Sequence, residues 1–93
     1  MKSIQVTLKF TVFLKDELGR SIPDKVTIPE GSSIQDLIEE IDRISGGKFK
    51  RRFDRGDIVV LLNGRGVLKS RMSVTKIEDG DEIIFMPLVG AVG

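Results

Sequence analysis

The feature that most limits this chain is a run near its start with a period of two. Ile4, Val6, Leu8, Phe10, Val12 and Leu14 alternate with Gln5, Thr7, Lys9, Thr11, Phe13 and Lys15. Successive strand side chains point to opposite faces, so this pattern predicts a strand with one buried and one wet side. Phe13 is the apolar residue on the wet side. Two readings of it stay open: a stray exposed aromatic, or part of a docking surface.

The rest of the chain supplies partners for that strand. Gly19 and Ser21-Ile22-Pro23-Asp24 make a turn region, and Lys25-Val26-Thr27-Ile28 reads as a second, antiparallel strand. Ser32 as N-cap with Gln35 three residues on would form a capping box. Ile34, Leu37, Ile38, Ile41 and Ile44 then form one apolar stripe on a helix that Gly46-Gly47 ends. Ile58-Val59-Val60-Leu61-Leu62 is a continuous apolar run, expected of a central strand covered on both faces. Asn63-Gly64 makes a tight turn, with Val67-Leu68 as a short return strand. Glu82-Ile83-Ile84-Phe85-Met86 is the last strand, and Pro87 ends it.

Strand, strand, helix, strand, short strand, strand predicts a two-layer α+β fold of the β-grasp, ubiquitin-like kind. One main helix crosses a mixed four- to five-stranded sheet over residues 1–87. The first and last strands would pair in parallel at its centre, with the helix in the crossover. A chain of 93 residues supports one such domain.

What the chain lacks narrows the chemistry. It has no Cys and no His. A disulfide framework, a thiolate zinc site and a cysteine nucleophile are therefore excluded, and the usual base near neutral pH is missing. Fifteen Lys and Arg face fourteen Asp and Glu, so a net charge of +1 makes no strong case for nucleic acid or an anionic membrane. No run approaches the roughly 20 apolar residues of a membrane span. The N-terminus lacks the apolar segment of a signal peptide, so the expectation is a cytoplasmic protein.

Two segments leave alternatives open. Residues 48–57 interleave Phe49 and Phe53 with Lys48, Lys50, Arg51, Arg52 and Arg55. They read as a solvated connection with both rings tucked against the core, as a basic patch for an acidic protein partner, or as a single-strand nucleic-acid binder. The tail, residues 88–93, can span about 20 Å if extended. It is either a frayed end or a narrow segment suited to a tunnel, with an unhindered carboxylate on Gly93.

Three motifs carry a resemblance. Pro29-Glu30-Gly31-Ser32-Ser33-Ile34, followed by Asp36-Leu37-Ile38, resembles the helix start of MoaD/ThiS-type sulfur carriers. Leu62-Asn63-Gly64-Arg65 is similar to their turn, and the stretch from Ile77 through Asp79-Gly80-Asp81-Glu82 to Pro87 resembles their approach to the tail. The resemblance implies a carrier without catalytic side chains of its own and without a bound cofactor. An E1-like adenylating enzyme would use ATP and Mg²⁺ to activate the Gly93 carboxylate, and sulfur transfer would make it a thiocarboxylate. The large subunit of molybdopterin synthase would then accept the tail. Gly90, Ala91 and Val92 would thread the partner's channel, and Leu88, Val89, Phe13, Arg65 and Arg51 would make docking contacts. The same activation of Gly93 would serve a ubiquitin-like modifier, which stays an alternative, and Val92 in place of the family's usual terminal Gly-Gly leaves a non-reactive interaction module as another.

Overall fold

The computed structural model describes residues 2–11, 22–56 and 58–87. The alternation becomes strand β1 (Ser3–Phe10), with Ile4, Val6 and Leu8 buried and Gln5 and Lys9 exposed. Val12, Phe13 and Leu14 lie outside the described residues. Strand β2 (Lys25–Pro29) pairs antiparallel with β1, with Val6 opposite Val26, so both strands bury the same face.

Helix α1 (Ile34–Ile44) forms where its apolar stripe predicts, burying Ile34, Leu37, Ile38 and Ile41 and leaving Ile44 half-buried. Its cap lies one residue later than expected. The Ser33 hydroxyl accepts from the Asp36 N–H at 3.1 Å, and the Asp36 carboxylate accepts from the Ser33 N–H at 2.9 Å. A carboxylate is the stronger acceptor and also suits the positive helix start, so Asp36 takes the place assigned to Gln35. The Ser32 hydroxyl turns back to donate to the Pro29 carbonyl at 2.6 Å.

Residues 48–54, expected as a connection, form a second helix, α2 (Lys48–Asp54). Phe49 and Phe53 lie four apart, hence on one face, and both are buried. Strand β3 (Ile58–Leu62) follows and turns at Asn63 and Gly64, whose φ of 50° and 86° suit a two-residue hairpin loop. The return strand is β4 (Arg65–Gly66), ahead of the expected Val67-Leu68. The Val67 N–H still donates to the Val60 carbonyl at 2.9 Å, but Leu68 is 71% exposed. A single 3-10 turn at Lys69–Arg71 precedes β5 (Glu82–Pro87).

The sheet order is β2-β1-β5-β3-β4. Strand β5 is central, parallel to β1 and antiparallel to β3. The fold is a mixed five-stranded α+β sheet with both helices contributing to one core, as the β-grasp reading requires. The run 58–62 therefore holds the position between centre and edge. Its outward residues Val59 and Leu61 stay half-buried, because the helices pack on the opposite face. No described helix is long and apolar enough to cross a membrane.

Candidate functional site

The site is organised by β5, whose start is set by interlocking turns. Asp79 accepts from the Gln5 N–H at 2.8 Å, and Asp81 accepts from the Glu78 N–H at 2.8 Å and from the Asn63 amide at 2.9 Å. The Asn63 carbonyl oxygen in turn accepts from the Glu82 N–H at 2.9 Å. The Asn-Gly turn and the Asp-Gly-Asp turn, far apart in sequence, thus hold each other and fix the register of the central strand.

At its other end β5 rests on aromatics. Phe85 stacks on Phe10 with centroids 5.1 Å apart and meets Phe49 edge-on, also at 5.1 Å. Phe49 stacks on Phe53 at 6.3 Å. Pairs of this geometry add about 0.5–1.5 kcal/mol each beyond area burial. Helix α2 therefore supports the end of β5 from below, while β1 pairs with it as far as Phe85 and β3 as far as the Ile58–Pro87 pair.

Above the sheet, the registers place Val59 opposite Met86 and Leu61 opposite Ile84 on the face away from the helices. Met86 is 37% exposed, while Val59, Leu61 and Ile84 are half-buried. Lys9 and Glu82, paired at 3.0 Å, border this apolar strip. Sequence reading missed the strip. The available signal was a pair of strands apolar on both faces in a fold with helices on only one.

Gly93, the proposed reactive residue, lies outside the described residues, as do Gly90, Ala91, Val92, Leu88, Val89 and Phe13. Arg65 and Arg51 are both exposed and stand on different elements, β4 and α2. The phenylalanines of residues 48–57 are buried, as the connection reading expected, so they offer no stacking platform to a nucleic acid. On α1, hydrogen bonds from Lys50 hold the Glu39 carboxyl below its usual range, and those from Arg43 do the same for Glu40. The described residues contain no group of three or more His, Cys, Asp or Glu able to hold a metal ion. What the arrangement can do is present: it delivers the segment after Pro87 from the middle of a sheet, beside an apolar face fit for a protein partner.

The model of the ThiS family matches residues 12–90. No curated protein matches the sequence. Among solved structures, a Pyrococcus furiosus protein assigned as molybdopterin converting factor subunit 1 is 25% identical, with a TM-score of 0.65 over 92% of this chain and 99% of that one. The thiamine biosynthesis protein ThiS from Geobacter metallireducens is 16% identical, with a TM-score of 0.59 over 95% of this chain and 99% of its own. Small archaeal modifier protein 1 of Haloferax volcanii is 20% identical, with a TM-score of 0.68 over 92% and 99%. The last two likenesses concern the fold alone.

Proposed function

We propose that this chain, which belongs to the ThiS family, is a sulfur carrier whose reactive group is the Gly93 carboxylate. The observation that carries this reading is β5: a central strand, held on both sides, that ends at Pro87 and hands the chain on to residues 88–93. Those six residues can reach about 20 Å, far enough to enter a partner's active site while the domain docks outside.

The chemistry would proceed in two displacements. The Gly93 carboxylate attacks the α-phosphorus of ATP on an E1-like adenylating enzyme, and pyrophosphate leaves. Mg²⁺ held by that enzyme offsets charge on the phosphates. A sulfide equivalent from a donor then attacks the acyl carbon, AMP leaves, and the carboxylate has become a thiocarboxylate. The chain acts as co-substrate, and no side chain of its own needs to be acid, base or nucleophile. The Val59, Leu61, Ile84 and Met86 strip gives the partner an apolar surface beside the point where the tail departs.

The finer assignment is the small subunit of molybdopterin synthase, passing its sulfur to the large subunit. It is supported by the 25% identical Pyrococcus furiosus neighbour, assigned as a molybdopterin converting factor subunit. Incubation with the cognate activating enzyme, ATP and a sulfur donor should release AMP and add the mass difference between sulfur and oxygen at Gly93. Unchanged intact mass without AMP release would sink the carrier reading. Activation appearing only in Val92→Gly would make the native chain a non-reactive module. Gly93 recovered in an isopeptide bond to lysine would redirect the same activated carboxylate to protein modification.

A further inference from the structure

The net charge of +1 conceals a strong separation. Residues 48–76 carry nine Lys and Arg against Asp54 and Asp57, while the rest of the chain carries six against twelve. The basic segment folds into α2, β3, β4 and the 3-10 turn, and three of its cations, Arg65, Lys69 and Arg71, border one stretch of surface. Two adjoining depressions lie there. One, of about 400 Å³, is floored by Phe53, Ile58, Val60 and Met72 and walled by Leu68 and Lys69. The other, of about 330 Å³, runs along Leu62, Val67 and Leu68 between Arg65 and Arg71. Among the described residues, no carboxylate lines either of them. Leu68 forms the ridge they share and is 71% exposed.

Three of the surrounding cations are available. Lys69 sits 5.6 Å over the Phe53 ring and donates to the Asp54 carbonyl at 3.4 Å, so it meets no carboxylate there. Arg65 and Arg71 have no ion pair among the described residues. The depression between β2 and α1 differs. Bordered by Glu30, Asp36, Glu39 and Glu40, it has three of its carboxylates engaged already, by the α1 cap, Lys50 and Arg43.

We propose that the Leu68 ridge and its three cations, Arg65, Lys69 and Arg71, dock an acidic polypeptide segment that places aliphatic side chains in the two depressions. Charge complementarity selects the carboxylates, and the aliphatic lining selects side chains of the same kind. A single-stranded nucleic acid fits less well, because Phe53 is 4% exposed and Phe49 is fully buried, leaving no ring face for a base. The β2–α1 depression of a second copy fits less well too, since three of its four carboxylates are already engaged. The surface meets the Val59–Met86 strip only at Val59, which also lines the larger depression, and it does not depend on Gly93 being activated.

The test titrates the full-length protein, labelled for amide NMR, with an acetylated peptide of alternating glutamate and leucine. Shifts should concentrate at Gly66, Val67, Leu68, Lys69 and Arg71. Lys69→Glu combined with Arg71→Glu should weaken binding by tenfold or more, about fivefold for each exposed charge contact. Leu68→Ser should weaken it several-fold without loss of fold, and Lys25→Glu, on β2, should leave it unchanged. Titration with oligothymidylate, and dilution of the protein without peptide, should leave these amides in place. Absence of shifts at millimolar peptide, equal binding by a glutamate-serine peptide, stronger shifts with oligothymidylate, or shifts that follow protein concentration alone would each overturn the proposal.

Discussion

Helices α1 and α2 are separated only by Ser45, Gly46 and Gly47, yet their origins differ. Helix α1 has local reasons to form: eleven residues, a one-sided apolar stripe, a reciprocal capping box, and Arg43 near its negative end. Helix α2 has few. It spans seven residues, and its N-cap Gly47 has φ 88° and offers no side chain. Helices this short are marginal in water by themselves. Its free N–H groups are served from α1 instead. The Ser45 hydroxyl accepts from the Phe49 N–H at 3.2 Å, and the Asp42 carboxylate accepts from the Lys50 N–H at 2.8 Å. Phe49 and Phe53 then anchor it beneath Phe85. One helix is encoded locally; the other is held in place by the fold.

The sharpest way to break that contrast is Phe49→Ala. Emptying a fully buried ring site should cost about 3–5 kcal/mol in urea unfolding, and α2 amide protection should vanish first. If α2 stays protected while global stability falls, its helix does not depend on the aromatic contacts.

A subtler comparison sets Ser33→Ala against Asp42→Ala. Loss of the α1 cap should lower global stability by about 1 kcal/mol. Loss of the Asp42 carboxylate should cost a similar amount or less, with faster hydrogen exchange confined to α2. Equal protection changes in both helices for both variants would erase the distinction.

The smallest effect is in acid. Glu39 on α1 reaches across to Lys50 on α2 at 2.8 Å, which holds its carboxyl below the ordinary value of 4.5. The folded state thus takes up the proton less readily than the unfolded one. The pair's contribution is fully present above the unfolded value and is lost as pH falls through the lowered folded value. Melting temperature between about pH 6 and pH 3 should therefore fall less in Glu39→Gln than in the native chain. Parallel acid slopes would show that the tie between the helices contributes nothing.

Much of the architecture was legible because its signals are short-range. Period-two alternation in β1, the α1 stripe, the Asn-Gly turn and the ordered motifs all lie within windows of about a dozen residues. Even the parallel pairing of first and last strands followed once the element order was read as the β-grasp arrangement, with the helix as the crossover it requires. The misreadings share a cause. Asp36 replaced Gln35 in the cap because Ser-Ser followed by Gln-Asp fits a capping box in either register, and the stronger acceptor at the positive helix start decides between them. Residues 48–54 read as a connection because no local periodicity identifies a seven-residue helix whose caps come from another element. The outward strip of Val59, Leu61, Ile84 and Met86 was illegible for a related reason: an apolar run does not say which of its faces will be covered.

By itself, then, the sequence determined the strand periods, the apolar stripe of α1, the family motifs and the absence of His and Cys, which leaves no imidazole or thiol for chemistry. The tertiary structure alone decided that the Phe10, Phe49 and Phe85 rings cluster beneath the central β5. It also decided that α2 is a helix, and that Arg65, Lys69 and Arg71 border the depressions around Leu68. These outcomes depend on which distant residues become neighbours, and proximity across the sheet is a property of the folded chain that no local pattern carries.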